Sequence, residues 1–222
     1  MKFKVITLFP EFIKRLEGYS IIGRAVKNKK IKIEAINLRD FGIGSYKQVD
    51  DKPYGGGLGM LLRVDVVGPA IESARKKTVK RSRVILLSPE GKKFNQESAE
   101  KFSSLDELTI VCGHYEGFDE RIKEYTDEVV SIGDYILSGG EIPAMSIIDS
   151  VSRLIPGVLG KDMSSKTESF SKLEGKRIVE SPQYTRPEEF KGKTVPKILL
   201  SGDHKKIEAW QKLNQREVLL DR

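Results

Sequence analysis

The first ten residues alternate in character: Phe3, Val5, Thr7 and Phe9 fall on one face of a strand, Lys2 and Lys4 on the other, and Pro10 ends it. A short helix to Gly18 follows, then another around residues 24–27. IKIEAINL, residues 31–38, repeats the two-residue period and predicts a second strand. Residues 64–77 carry Val67, Ala70, Ile71 and Ala74 at helical spacing. The short apolar runs at 84–87, 108–112 and 128–132 predict strands buried on both faces, with a turn at 88–91. Helices are expected near 95–104 and over 143–154, the latter with proline in its first turn. Strand and helix alternating in this way argue for an α/β domain with a largely parallel sheet.

Two stretches break the rhythm. Residues 39–59 form a long loop rich in glycine and polar residues, too long to be idle in a compact domain. Beyond Pro156-Gly157 the apolar anchors thin out, and residues 161–176 read as a linker or a mobile lid. A final helix is capped near Ser201 or Asp203, with Ile207, Trp210 and Leu213 on one side and Lys205, Lys206, Lys212 and Arg216 around the rest. A domain boundary falls near Lys161.

Composition narrows the class. At 38% hydrophobic and 32% charged residues, the 222-residue chain has the make-up of a soluble globular protein. No apolar run approaches the roughly 20 residues that span a bilayer. The opening segment reads as a strand, not a secretory signal, and the single Cys112 fits a reducing compartment, so a cytoplasmic location is expected. One Cys and two distant His make no zinc constellation, and no metal ligands are assigned.

The net charge of +7 suggests an anionic partner, and its distribution says more than its size. From 161 to 222 there are fourteen Lys/Arg against ten Asp/Glu, whereas residues 124–152 contain no Lys or Arg. A basic tail and a cation-free middle suggest two different ligands handled in different places.

Three strand ends run directly into turn-rich polar segments: LLSPEG (86–91), CGHYEGFDER (112–121) and SIGDYILSGGEIPA (131–144). In α/β sheets ligands sit beyond the carboxyl ends of strands, so these loops could line one pocket. Their glycines let the backbone approach a ligand, although each loop alone could equally be a turn. A phosphate-rich cofactor would favour cations here; a positive sulfonium would not. Glu116, Asp134 and Glu141 are the acids available to such a ligand, while a buried sheet would also exclude Lys and Arg. The run GGGLG (55–59) follows no strand and lacks dinucleotide spacing, and residues 157–162 fail as a Walker loop. A nicotinamide dehydrogenase thus lacks its fingerprint. A non-catalytic RNA-binding module would explain the charge but not the three loops.

The whole chain resembles the bacterial tRNA (guanine-N1)-methyltransferases of the SPOUT class. The resemblance rests on FP (9–10), GRAVKN (23–28), VDDKPYGGGLGM (49–60), LSPEG (87–91), CGHYEGFDER, SIGDYILSGGEIPA, RLIPGVLG (153–160), YTRP (184–187) and LLSGDHKKI (199–207) with Ala209-Trp210. It implies a SPOUT-type α/β domain over 1–160 whose C-terminal part is a trefoil knot, an architecture periodicity does not yield. A linker or lid over 161–172 and a small, mainly helical tRNA-binding domain over 173–222 would follow.

The cofactor implied is S-adenosylmethionine, held by Leu86, Ser88, Pro89, Gly113, Tyr115, Glu116, Ile132, Gly133, Asp134, Tyr135, Ile136, Leu137, Gly139, Gly140 and Pro143. The implied substrate is tRNA with guanosines at positions 36 and 37, the product N1-methylguanosine at 37. Substrate contacts would come from Arg24, Asp50, Tyr54, Gly55, Gly57, Gly59, Ser169, Glu180 and Arg186. The resemblance also implies a homodimer with composite active sites, a requirement for Mg²⁺ without assigned ligands, and neither DNA nor membrane as partner.

Guanine N1 carries a proton that must leave. The positions matching the family's base and its supporting arginine are Glu168 and Arg153. Glu168-Ser169-Phe170 stands where the family usually has Asp-Ser-Phe, one methylene shorter at the carboxylate. Glu90 replaces a frequent Gln, and about four extra residues separate Phe170 from Glu180. A carboxylate in water is a weak base for this proton, so a closed lid and the Arg153 cation are what the chemistry requires.

Overall fold

The computed structural model describes residues 1–75, 79–159, 168–173 and 176–218, which divide into two compact units at Gly160/Lys161. In the first, the strands and helices run in the order β1 (Lys2–Thr7), α1 (Pro10–Lys14), α2 (Ser20–Lys27), β2 (Lys32–Asn37), β3 (Asp50–Asp51), β4 (Leu61–Leu62), α3 (Val64–Ala74), β5 (Ser82–Lys93), α4 (Gln96–Ser103), β6 (Glu107–Val111), β7 (Glu128–Ser131) and α5 (Glu141–Ser152). Five strands make one parallel sheet in the order β2-β1-β6-β5-β7. The parallel α/β layout expected from the apolar runs is therefore present. Parallel sheets need cover on both faces, and two separate cores provide it. Phe3, Val5, Ile85, Leu87, Leu108 and Ile110 pack with Ile13, Ile22, Phe102 and Ile148. On the other face Ile6, Val84, Leu86 and Val111 pack under Val67, Ala70 and Ile71 of α3.

That double cover sets the lysine face of β1 against α3 at Lys4, not against water. Lys4 is 1% exposed. Its Nζ donates to Glu107 Oε1 at 2.8 Å and to the carbonyl of Ala74, the last residue of α3. A carbonyl at a helix C-terminus has no intrahelical donor and carries partial negative charge, so the ammonium satisfies both it and the carboxylate.

Other boundaries moved for identifiable reasons. Asn95 caps α4, its Oδ1 accepting from Ser98 N at 3.0 Å. Helix α5 starts at Glu141, two residues early, because Pro143 sits among the first-turn positions whose N–H has no intrahelical acceptor. Strand β5 does not stop at Leu87. It resumes pairing with β7 at Lys92, so residues 88–91 leave the ladder instead of turning the chain back. The end of α3 expected at 76–77 lies outside the described residues. The long loop at 39–59 contains a 3₁₀ turn at Leu38–Phe41 and leads into the β3–β4 ladder.

The second unit contains strands that the sequence reading omitted. β8 (Lys172–Leu173), β9 (Lys176–Val179) and β12 (Arg216–Glu217) form an antiparallel sheet in the order β12-β9-β8. β10 (Glu189–Phe190) and β11 (Lys193–Thr194) form a hairpin. Helices cover Lys197–Leu200 and His204–Asn214, the latter capped by Asp203, whose carboxylate accepts from Lys206 N. Ile207 and Trp210 are half-buried but Leu213 is 85% exposed. Steps of three slip backward around a 3.6-residue helix, and the half-buried Asn214 takes the place expected of Leu213. Of the expected linker over 161–172, residues 161–167 lie outside the described residues. Phe170 N donates to Ile178 O and Ile178 N to Ser171 O, which joins 168–173 to β9.

Lys4→Met strands the buried Glu107 carboxylate and is expected to lower unfolding free energy by about 3–5 kcal/mol in urea titrations. The double variant Lys4→Met/Glu107→Leu should recover most of that loss; a double variant as unstable as the single would show that the pair's charges are not what matters.

Candidate functional site

The carboxyl ends of β5, β6 and β7 open into one cavity of about 240 Å³. Its wall is built from Leu87–Pro89, Gly113–Phe118 and the run from Val130 to Gly140, with Pro143 of α5 closing one side. Every residue expected to hold a cofactor lines it except Leu86 and Asp134. Leu86 points into the α3 core and borders a second, adjoining cavity of about 270 Å³. Asp134 turns outward and pairs with Lys93 at 2.5 Å. The exposed Asp134 meets Lys93, a residue on the extension of β5 beyond the expected turn at 88–91.

Backbone crossing shapes this cavity. Gly140 N donates to Gly113 O at 2.8 Å, and His114 and Gly139 form an antiparallel bridge. A Cβ on Gly140 would stand 2.6 Å from Cys112 Cα and 2.8 Å from Gly113 N. Neither atom can yield as a flexible side chain would, so only glycine permits the contact. On the far side of the crossing, Glu141 is buried and its Oε1 accepts from Thr7 Oγ1 at 2.6 Å, tying the first turn of α5 to β1. Burial, with the Glu141 charge adding to it, pushes the Cys112 thiol well above its ordinary value, so that side chain stays protonated beneath the floor.

The wall offers backbone groups and few charges. Among the described residues Glu116 is the one acid in the lining, and no Lys or Arg lines the cavity. Tyr115 takes a left-handed conformation (φ 58°) and is half-exposed, while Tyr135, Ile136 and Leu137 make an exposed apolar rim. His114 stacks edge-on against Phe9 at 5.3 Å and Tyr115 at 5.0 Å; its Nδ1 is buried without a partner among the described residues. His114, Gly117, Phe118 and Ser138 also line the cavity; they lie in the loops expected to face a pocket but are not among the residues that the resemblance assigns to the cofactor. Their place inside a contiguous glycine loop was the signal that could have found them.

The expected substrate residues divide. Asp50 is half-buried in β3, Tyr54 is fully exposed, and Gly55, Gly57 and Gly59 follow with positive φ. Backbone bonds tie this segment to the cavity loop: Glu116 N donates to Met60 O at 3.0 Å and Leu62 N to Gly117 O at 2.9 Å. Arg24 is exposed on α2, which contributes nothing to the lining. Arg153 terminates α5, its N–H bonded to Asp149 O at 3.1 Å.

In the second unit, Ser169 and Glu180 hold each other: Ser169 N donates to Glu180 Oε2 at 3.3 Å and Glu180 N to Ser169 Oγ at 3.1 Å. Glu168 begins the same stretch, with Ser171 N donating to its carbonyl. Arg186 is exposed. Among the described residues no group of three or more His, Cys, Asp or Glu could hold a metal ion, and no helix is long and apolar enough to cross a membrane.

Comparison with known proteins gives one consistent answer. The family model described as tRNA (Guanine-1)-methyltransferase TrmD matches residues 1–220. A Staphylococcus carnosus (strain TM300) protein named tRNA (guanine-N(1)-)-methyltransferase is 49% identical over 213 residues, 95% of this chain and 84% of its own length. Proteins of the same name from Staphylococcus aureus (strain JH9) and Lactobacillus delbrueckii subsp. bulgaricus (strain ATCC BAA-365 / Lb-18) are 48% and 47% identical. Each aligns with 95% of this chain, and 84% and 82% of their respective lengths are covered.

Gly140→Ala is expected to force the two backbones apart and destabilise the first unit by about 1–3 kcal/mol in urea titrations, the usual range for overpacking. Gly18→Ala, where a Cβ meets nothing within 4 Å, should be neutral; equal behaviour of the two variants would show that the crossing is not tight.

Proposed function

The chain belongs to the tRNA (guanine-1)-methyltransferase family, and from that premise we propose that it transfers a methyl group from S-adenosylmethionine to N1 of guanosine 37 in tRNA. The observation that carries the cofactor assignment is the cavity at the strand ends, walled by backbone N–H and C=O groups and bearing, among the described residues, one acid and no Lys or Arg. Such a wall suits a ligand with a positive sulfur and polar nucleoside edges, and offers a phosphate no cationic side chain. When bound, S-adenosylmethionine supplies a methyl group on a positively charged sulfur and departs as S-adenosylhomocysteine.

In this reading the segments 87–89, 113–117 and 132–140 orient the donor, and Glu116 sets a negative charge beside it. The Glu168 carboxylate takes the proton from guanine N1, and the Arg153 guanidinium holds the charge that develops on O6. Deprotonated N1 then accepts the methyl group, so the proton ends on Glu168. Residues 50–59, with Arg24, Ser169, Glu180 and Arg186, would meet the RNA, including guanosine 36. The cationic second unit would grip phosphates, giving affinity that falls with salt. The target base leaves its stack to react, least costly in a loop.

The same reading makes 1–160 the catalytic domain with a trefoil knot toward its C-terminal part, 161–172 a linker or lid, and 173–222 the tRNA-binding domain. The close crossing of Gly139-Gly140 over Cys112–His114 supports the knot. Exposed Phe9, Phe12, Tyr135, Ile136 and Ile142 support a homodimer whose partner completes each site. Mg²⁺ as a requirement and a cytoplasmic location belong to the same reading.

Incubating the protein with S-adenosylmethionine, Mg²⁺ and unmodified tRNA bearing guanosines at 36 and 37 should produce a primer-extension stop at 37; full read-through would sink the assignment. Glu168→Gln should lower kcat by about 10²- to 10⁴-fold while leaving S-adenosylhomocysteine affinity within about twofold, as expected for an acid–base group outside the donor cavity. Wild-type turnover by that variant would remove Glu168 from the role of base.

A further inference from the structure

The glycine segment 55–59 and the loop after β6 meet in more than backbone bonds. Besides the two bonds described above, Asp119 N donates to Leu62 O at 3.0 Å. A fourth link is pure packing. Gly59 lies against the Glu116 side chain so closely that a Cβ there would stand 2.7 Å from Oε1 and 2.9 Å from Cδ, with Cγ nearer still. Neighbouring glycines show that this demand is separate from backbone conformation. Gly56 and Gly59 share nearly the same φ, 82° and 79°, yet a Cβ on Gly56 would meet nothing within 4 Å.

Glu116 lines both cavities, whereas Gly59 lines neither. A residue outside the cavity therefore decides where the carboxylate of its described lining can lie. We infer that Gly59 is a positioning residue for donor binding, and that the glycine segment and the donor cavity form one linked equilibrium through Glu116. This rests on the reading that the cavity takes S-adenosylmethionine. Linkage of this kind is reciprocal. A ligand that fixes the Glu116 loop fixes the peptide groups of Met60 and Leu62, and a ligand gripping the glycine segment tightens the cavity without touching it.

The test uses the full chain and S-adenosylhomocysteine as probe. Calorimetric titration compares wild type, Gly56→Ala and Gly59→Ala, while hydrogen exchange on the wild type follows the Leu62, Glu116 and Asp119 amides with and without the probe. Gly56→Ala reports the backbone strain alone. Gly59→Ala adds displacement of Glu116 from its rotamer and should bind the probe roughly five- to tenfold more weakly than Gly56→Ala. In a Glu116→Ala background, where no γ atom remains, Gly59→Ala should cost no more than Gly56→Ala does. The probe should slow exchange at Leu62, although Leu62 is not part of the lining.

Equal affinities for Gly56→Ala and Gly59→Ala, an undiminished Gly59→Ala penalty in the Glu116→Ala background, or unchanged Leu62 exchange would each overturn the linkage while leaving the cofactor assignment standing. A wild type that binds no probe would overturn both. Because the exchange measurement needs only the wild type, it decides the question even where Gly59→Ala fails to fold.

Discussion

Contact between two backbones, with no side chain between them, is the constraint on which the site depends. Gly140 rests on Cys112-Gly113 and donates to the Gly113 carbonyl. This one contact sets the floor of the cavity and the first residue of α5. It also brings Glu141 to the Thr7 hydroxyl, 134 residues away in sequence. In the proposed reading, peptide groups freed from the sheet at this point would recognise the donor by hydrogen bonding. The cavity can thus be almost uncharged and still polar.

The parallel sheet makes that arrangement possible by sending β5, β6 and β7 out on the same side. It can be covered on both faces only if the middle strand hides its polar residues too. Lys4 and Glu107 are the result: a diagonal pair across β1 and β6, two residues out of register, sealed under α3 and completed by a helix-terminal carbonyl. Apart from the buried Glu141, charges elsewhere on the first unit lie nearer the surface, where pairs such as Arg81–Asp106 and Lys93–Asp134 contribute little to stability.

Much of this was legible in the residues, and the reasons for the failures are specific. The strands at 84–87 and 108–112 announce themselves because burial on both faces leaves Thr109 as their one polar residue, and the glycine loops beyond them and beyond 128–132 mark the cavity. Periodicity put Lys4 on the face opposite Phe3 and Val5, where it lies, but an alternating pattern cannot say whether that face meets water or another layer. It cut β5 short because Ser88-Pro89-Glu90-Gly91 has turn composition, and nothing local shows the ladder resuming at Lys92. Asp134 was assigned to the cavity for its charge, yet its partner Lys93 lies on that unforeseen extension. The crossing at Gly140 was beyond such reasoning altogether: a glycine's neighbours in sequence do not report which distant backbone passes within 3 Å. Family resemblance supplied the cofactor residues, and none of its positions identified Gly59 as the packing partner of Glu116.

The position of β1 at the interior of the sheet has a consequence for how the chain is made. β1 leaves the ribosome before the other strands of its sheet, yet its register with β6 pairs Lys2 with Glu107 and Val5 with Ile110. At roughly 5–20 residues per second, synthesis of the intervening chain takes on the order of 5–20 s. Throughout that interval Phe3, Val5 and Ile6 can be shielded on one edge by β2 alone, and the sheet cannot close. The nascent protein therefore spends this interval with a future interior strand as an open edge, the state in which parallel sheets are most exposed to pairing with a neighbouring chain.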